Sequence, residues 1–357
     1  MSSRSMARPH IAVLFDNFGP YHIARLSAAA TRCDLLGIEV ASVITEYAWQ
    51  RTESVPFERK TLLEIEEGEK KNSKDLEKKL DDALIKHGTE VLAIPGWSGY
   101  HAVIALKVAL QRSIPVILMS ESQETDFHRT WIKEWIKRRY VNMCHSALVG
   151  GRSHKAYMHK LGMPESHIFT GYDVVDNDYF LNGAQNAKKH GELYRKEFEL
   201  PEKYFLASSR FIEKKNLPNL ISAYANYREG AINQEVEEDS VYHLFILGDG
   251  ELREMLENLV NQKGLTDKVH MHGFKQYEDL PAYYGLASLF IHASTTEQWG
   301  LVVNEAMASG LPVLVSDRCG CAGDLVAPGE NGYTFSPNDL DELSSLMIKM
   351  TSADVDL

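Results

Sequence analysis

The chain has little cysteine, no long apolar run and no excess of positive charge, and each shortage removes a class of function. Four cysteines stand in 357 residues: Cys33, Cys144, Cys319 and Cys321. They are too few and too scattered for a disulfide framework, which points to a reducing compartment. Cys319 and Cys321 make a Cys-x-Cys pair, but no partner ligands follow at finger-like spacing, so no zinc is read there. Lysine and arginine total 38 against 50 aspartate and glutamate, a formal net charge of -12. That argues against nucleic acid as a main partner, because phosphate-backbone binding draws on a cationic surface. It leaves room for a local cationic pocket that takes one diphosphate. No stretch approaches the ~18 apolar residues of a membrane span. The apolar run behind the basic amino terminus, Ile11 to Phe15, has five residues, short of a secretory core of about 7–15. The expected location is cytoplasmic, free or peripheral at the membrane inner face.

Hydrophobic residues make up 44% and charged residues 25%, in the ordinary range for a globular chain. The length predicts about two domains, each able to bury its own core. Short apolar runs alternate with helix-like stretches, which predicts parallel α/β sheets. The first half has strand-like runs at His10–Phe15, Gly37–Ile44, Val91–Ile94, Pro115–Met119 and Ser146–Val149. The charged stretch Thr61–Lys86 reads as a solvated helix or helix pair. The polar stretch Leu181–Pro201 reads as a connection, after which the pattern restarts at Tyr204–Ser208, Tyr242–Leu247, Val269–His272, Ser288–His292 and Pro312–Ser316. The expected organisation is a Rossmann-like domain over 1–180, a connection over 181–202 and a second Rossmann-like domain over 203–357. In such sheets ligands sit beyond the carboxyl ends of the strands, and the default site of two facing domains is the cleft between them.

The densest chemical signal runs from Ala293 to Val313. It contains Glu297, Gly300, Leu301, Val302, Glu305 and the tail Ala306-Met-Ala-Ser-Gly310-Leu-Pro-Val. The pattern is strand, carboxylate loop, glycine turn, helix with a carboxylate one turn in, and strand. Gly300 permits a tight turn and close backbone approach. The amides of Gly300, Leu301 and Val302 would open a helix toward an anion. Glu305 can accept hydrogen bonds from ribose hydroxyls, as acidic residues do in dinucleotide sites. Two surface carboxylates would be the bland reading. A second signal, Ala207-Ser-Ser-Arg210-Phe-Ile-Glu-Lys-Lys215-Asn216, follows the first strand of the second half. Arg210 offers a planar fork and Lys215 a point charge, and together they suit a diphosphate better than a merely solvated basic loop. Lys214 reads as the bystander.

These strings resemble the retaining glycosyltransferases of family 4, which have the GT-B fold. The pair Glu297 and Glu305 matches that family's Glu-x7-Glu motif, and Arg210 and Lys215 match its Arg-x4-Lys pyrophosphate motif. The resemblance implies that Glu305 binds the nucleotide ribose and Glu297 contacts the donor sugar, with Glu297, Arg210 and Lys215 at the chemistry. It implies a donor that is a nucleotide-diphosphate sugar, UDP- or GDP-linked, and a hydroxyl acceptor that is a saccharide, a lipid-linked or another small molecule. Transfer would retain anomeric configuration, in polysaccharide or glycoconjugate synthesis, with no metal and no other cofactor required. Phe245-Ile-Leu-Gly248-Asp-Gly250 resembles the family's turn beneath the donor, and Gly273-Phe274 resembles its base-contacting loop. Gly248-x-Gly250 lacks the third glycine of a dinucleotide fingerprint, so no NAD is expected. His270 and His272 share a strand face, with no third metal ligand evident. After Ser336 one helix, Leu340–Met350, is expected, and the crossover helix usual at the family's carboxyl end is not recognisable.

The first half is expected to hold the acceptor. Asn17-Phe-Gly19-Pro-Tyr-His22 stands where the family has a glycine loop near the donor phosphates, with Gly19 the better match and His22 its neighbour. Where family members often carry a histidine after the strand at Pro115–Met119, this chain has Glu121, followed by Asp126 and His128. These three are candidates for acceptor hydroxyls, with ordinary surface roles, and an N-cap for Asp126, as the alternative. Trp131–Tyr140 mixes aromatics with a basic face, suiting either an anionic membrane or a core-packed helix with a solvated side. Asp176-Asn-Asp178 resembles the Asp-x-Asp metal motif of the other large glycosyltransferase fold, a reading rejected here because the phosphate cations suggest a metal-free solution. Two other functions stay open at this point: a non-catalytic nucleotide-sugar-binding protein of a polysaccharide assembly, and a sugar-nucleotide epimerase of GT-B type.

Overall fold

The computed structural model describes residues 8–41, 54–63, 73–126, 129–233 and 237–352. The chain divides into two compact units, Met1–Val175 and Asp176–Leu357.

The first unit runs β1 (His10–Phe15), α1 (Pro20–Ala30), β2 (Asp34–Ala41), β3 (Glu58–Leu63), α2 (Ser73–His87), β4 (Val91–Pro95), α3 (Tyr100–Gln111), β5 (Val116–Ser120), α4 (Trp131–Val141), β6 (Ser146–Val149), α5 (Arg152–Lys160) and β7 (Ile168–Thr170). Its strands form one seven-stranded sheet in the order β3-β2-β1-β4-β5-β6-β7. Every described pairing is parallel. The strand centres are buried on both faces, as a parallel sheet requires. Leu14, Ile38, Leu92 and Leu118 pack against Leu76, Leu80 and Leu106 of the covering helices. The stretch Thr61–Lys86 differs from its helical expectation. Its first residues, Thr61–Leu63, finish a strand, 64–72 lie outside the described residues, and Ser73–His87 is helical as expected up to Lys86. Strand β3 is tied into the sheet through polar side chains: Arg59 and Thr61 both donate to Glu39 of β2, at 2.9 and 2.6 Å.

The second unit opens with α6 (Asn177–Lys189) and α7 (Gly191–Glu197). It continues β8 (Tyr204–Ser208), α8 (Leu217–Asn233), β9 (His243–Leu247), α9 (Arg253–Gln262), β10 (Val269–Met271), α10 (Leu280–Leu286), β11 (Leu289–His292), α11 (Leu301–Ala308), β12 (Val313–Ser316), α12 (Ala322–Leu325), β13 (Gly332–Phe335) and α13 (Leu340–Thr351). The six strands pair in parallel in the order β10-β9-β8-β11-β12-β13. Phe205, Leu244, Ile291 and Leu314 meet Tyr224, Leu256 and Met347 in its core. Most of the stretch 181–201 read as a connection is therefore helical. The buried residues of α6 are one aromatic and two alanines, Phe180, Ala184 and Ala187, so the sequence offers no large-aliphatic stripe there. The small residues let α10 approach closely: a β-carbon on Gly285 would stand 2.7 Å from Ala184 Cα, and one on Gly183 2.5 Å from Pro281.

Both sheets have the Rossmann-like strand order, as in the GT-B type. The order reverses between β1 and β4 in the first unit and between β8 and β11 in the second. Such a reversal splays the two flanking loops apart at the carboxyl ends and leaves a ligand crevice there.

Candidate functional site

The two motifs of the second half lie on the two loops that flank the reversal, after β8 and after β11. Arg210 follows β8 directly and is exposed. Lys215 lies one short turn later. The turn ends on Asn216, whose left-handed backbone (φ 57°) bends the chain back. Its side chain donates to Ala293 O at 3.1 Å and Pro337 O at 2.7 Å, and Thr295 N donates to Lys214 O at 2.9 Å. These bonds tie the lysine turn to the carboxylate loop.

Glu297 is thereby placed between cations. Lys215 Nζ donates to Glu297 Oε2, and Lys214 Nζ stands 3.5 Å from Oε1. His292 Nε2 lies 3.6 Å and Ser294 Oγ 3.5 Å from Oε2. Lys214, read as a bystander, thus reaches the same carboxylate from a more exposed position. The backbone of Glu297 pairs with the loop after β12, with Gly320 N donating to Glu297 O at 3.0 Å. Burial by itself would raise the Glu297 pKa, but the neighbouring His292 ring and the Lys215 charge outweigh it and hold the carboxyl well below its usual range. Burial lowers the pKa of His292 and keeps the imidazole neutral at pH 7.

A depressed carboxyl contributes stability above the ordinary carboxylate range, and the contribution fades as pH falls toward the folded value. Acid unfolding of Glu297→Gln is therefore expected to be less steep than that of the parent between about pH 5 and 3, by on the order of 1–3 kcal/mol. Parallel acid titrations of the two proteins, followed by circular dichroism, check this; coincident curves would refute it.

Gly300 caps α11 with φ 108°, where any side chain is strained. A β-carbon there would stand 3.5 Å from His292 Nε2 and 3.6 Å from Glu297 Cγ, ordinary contact distances, so the backbone conformation and not lack of room is what calls for glycine beside the carboxylate. Leu301 and Val302 form the first turn, half-buried, with their amides unused by the helix ladder. Glu305 is 0% exposed, and Tyr284 OH donates to its Oε2 at 2.6 Å. Burial, then the Glu305 charge, push the Tyr284 pKa far up, so the phenol stays a donor.

The Gly248 turn braces the Arg210 loop. Gly248 (φ 119°) would place a β-carbon 1.8 Å from Ser209 O, and Gly250 would meet Phe211 O at 2.7 Å. Phe211 N donates to Asp249 O at 2.8 Å, and Gly248 N to Gly273 O at 2.9 Å. Gly273 (φ 75°) and the part-exposed Phe274 thus stand beside the same turn. His270 stacks on His243 with 2.8 Å between ring nitrogens, and burial pushes its pKa down to about 4.

In the first unit the candidates divide differently. Gly19 is the N-cap of α1, and its amide donates to His22 Nδ1 at 3.0 Å. Burial, aided by Arg25, pushes the His22 pKa down to about 3. His22 therefore caps its own helix start as a neutral ring. Glu121 leaves the end of β5 and neighbours Asp173, whose pKa is raised by burial and by the Glu121 charge, with Arg25 opposing. Asp126 is not the N-cap of α4, a position held by Thr130; its Oδ2 accepts from Gln123 N at 2.8 Å and closes a turn in its own loop. His128 lies outside the described residues. The histidine at the first reversal is one the sequence reading missed: His101, at the start of α3, with Nδ1 3.6 Å from Asp16 Oδ1 beyond β1. Its signal was Gly99, whose missing side chain makes room for the ring: a β-carbon would stand 2.3 Å from it. Asp176 caps α6 through Tyr179 N at 2.9 Å, which accounts for the Asp-Asn-Asp string without a metal.

With a two-cation carboxylate loop and a glycine-capped helix at one strand-order reversal, comparison with known proteins is informative. Residues 192–354 match the family model "Glycosyl transferases group 1". The match lies wholly in the second unit and contains Arg210, Lys215, Glu297, Gly300 and Glu305. Among curated relatives, the α-monoglucosyldiacylglycerol synthase of Acholeplasma laidlawii is 30% identical over 132 residues, 37% of this chain and 31% of that protein. The mannosylfructose-phosphate synthase of Agrobacterium fabrum is 29% identical over 197 residues, 53% of this chain and 40% of that protein. The chain thus spans less than half the length of these two relatives. The solved structure of HepE from Anabaena, in complex with UDP and glucose, superposes with a TM-score of 0.69 at 17% identity, covering 96% of this chain and 90% of that one. At that identity the likeness is one of fold, and the fold is GT-B.

Proposed function

We propose that the protein is a family 4 glycosyltransferase that moves a sugar from a nucleotide diphosphate to a hydroxyl acceptor with retention of configuration, in polysaccharide or glycoconjugate synthesis. The observation that carries this reading is the convergence of Lys215, Glu297 and the Gly300 helix start at the second reversal, within the family-matched segment. Arg210 and Lys215 neutralise the departing diphosphate, and the Leu301 and Val302 amides face it. Glu305, fixed by Tyr284, binds the ribose, and Glu297 binds the sugar ring. Gly248, Gly273 and Phe274 shape the donor bed. The second domain, 203–357, takes the donor, and the first, 1–180, takes the acceptor through the region of Gly19, Glu121, Asp126 and His128. In the reaction the acceptor oxygen bonds to the anomeric carbon as the carbon–phosphate oxygen bond breaks. The leaving phosphate oxygen takes the acceptor proton on the same face. No metal is required, since the two cations carry the charge stabilisation.

The binding of UDP and glucose by HepE makes UDP-glucose the first donor to try. A thermal-shift panel of UDP- and GDP-sugars is expected to give one donor that stabilises the protein by mass action, and product analysis is expected to show an α-linked product from an α-linked donor. Activity should survive chelator. Binding with no turnover on any acceptor would favour the non-catalytic reading. An altered donor sugar without acceptor would favour the epimerase, and full loss with chelator would refute the metal-free mechanism.

Peripheral contact with an anionic membrane from the cytoplasmic side belongs to the same proposal. On α4, Trp131 is 79% exposed, Ile132 52%, Trp135 51% and Ile136 56%, while only Tyr140 and Val141 are buried. Lys133, Arg138 and Arg139 share the helix, and Arg139 stacks over Trp135 at 4.6 Å. Exposed aromatics beside cations suit the headgroup boundary. No described helix is long and apolar enough to cross a membrane. Replacing Trp131 and Trp135 by glutamate is expected to cut flotation with phosphatidylglycerol vesicles by at least about tenfold and leave the unfolding temperature within a few degrees. Equal flotation of parent and variant would remove the membrane from the proposal.

A further inference from the structure

A second polar cluster stands at the opposite, amino-terminal ends of the first unit's strands. His10 opens β1, Asp34 opens β2 beside it in register, and His87 closes α2 just before β4. His10 Nδ1, one Asp34 oxygen and a His87 nitrogen lie within 4.8 Å of one another. His10 Nδ1 is 3.4 Å from Asp34 Oδ2, and His87 Nε2 is 3.8 Å from Asp34 Oδ1.

These separations are long for N–H···O hydrogen bonds of about 2.7–3.2 Å. They are near the roughly 3.3 Å between neighbouring ligand atoms of a tetrahedral zinc ion with bonds of about 2.0–2.1 Å. Two further observations point to a ligand. His10 Nδ1 and His87 Nε2 are both buried from solvent and have no hydrogen-bond partner, an arrangement that costs free energy unless something fills it. The other nitrogen of His87, Nδ1, lies 3.0 Å from Thr89 Oγ1, which orients the ring as outer partners do for metal-bound histidines.

We propose that His10, Asp34 and His87 bind one divalent transition-metal ion, with zinc as the best match. Two imidazoles and one carboxylate form a nitrogen-rich set that favours zinc over magnesium or calcium. The three ligands come from the ends of regular elements, so the site is held rigidly. A cavity of about 750 Å³ opens beside it, lined by His10, Asp34, Arg8 and Glu58 among others, and leaves room for water as the fourth ligand. The ion would join β1, β2 and α2 at one corner. The site lies at the strand ends opposite those that carry Gly19 and Glu121, so its role is structural and independent of the proposed transfer.

The test uses the full chain, stripped with chelator and then titrated with Zn²⁺ against a chromophoric competitor. One Zn²⁺ per chain is expected, with a rise in unfolding temperature. Co²⁺ in its place should give the visible absorption of a four-coordinate site. Asp34→Asn and His10→Gln, both on part-exposed side chains, should each weaken Zn²⁺ binding at least about tenfold while the metal-free unfolding temperature and the shift with donor nucleotide stay at parent values. His87→Gln should do the same if it folds, and the first two variants decide the matter if it does not. A Cys319→Ser, Cys321→Ser double variant should bind Zn²⁺ like the parent. Absence of stoichiometric Zn²⁺ binding, or undiminished binding by Asp34→Asn and His10→Gln, would overturn the proposal.

Discussion

Replacing Arg210 or Lys215 by alanine is expected to lower kcat by about 10²–10³-fold, the range lost when a single preorganised donor to developing charge is removed. The reason is geometric. Both residues follow the end of β8 beside the strand-order reversal, where the proposed mechanism puts the departing diphosphate. The two variants should differ in a second readout. Lys215 also holds Glu297, so Lys215→Ala leaves a half-buried carboxylate short of a cation and should lower stability as well. Arg210 is exposed, and its removal should leave the unfolding temperature within a few degrees. Steady-state kinetics with the donor found by thermal shift, beside melting curves, separate the two effects. A change below about threefold in kcat for both would remove the pyrophosphate role and with it the proposed mechanism.

Gly248→Ala is expected to be the most damaging conservative change in the second unit. The φ of 119° is unfavourable for any side chain, and the added carbon would stand 1.8 Å from Ser209 O, a backbone atom that cannot rotate away. Relief requires moving the Ser209–Phe211 segment that carries Arg210. A loss of about 2–4 kcal/mol is expected, in the class of backbone strain combined with overpacking. Donor binding should weaken in parallel, because the arginine moves with the segment. Gly323→Ala is the control: its β-carbon would meet nothing within 4 Å, and alanine favours the α12 helix. Urea melts of the two variants check the contrast, and equal stability would show that the turn tolerates what its geometry forbids.

Much of the candidate site of the second unit was legible in the sequence because it is local. Glu297, Gly300 and Glu305 fall within nine residues of one strand-loop-helix passage, and Arg210 to Lys215 within six of another. The same holds for the strands, since buried parallel strands are continuous apolar runs. Errors arose where a residue's role depends on a distant partner. Thr61 read as the start of a solvated helix, but its hydroxyl donates to Glu39, twenty-two residues away on the neighbouring strand. The α6 stripe of small residues gains meaning only from α10, where Pro281 stands against Gly183 and Gly285 against Ala184. His22 and Asp126 show the opposite case: each accepts a bond from an amide three residues before it, a local contact made within its own turn.

The sequence by itself determined that this chain builds two parallel α/β halves and which cations and carboxylates stand on the loops of the second. Periodicity and short-range spacing are enough for that, because they act along the chain. Tertiary structure alone decided that Lys215 and Glu297, 82 residues apart, share a hydrogen bond, and that His292 stands behind them as a neutral ring. It also brought His101 to Asp16, and His10 and Asp34 to His87. These contacts follow from the order in which strands pair, and strand order is fixed by packing of whole elements, which no local window of residues records.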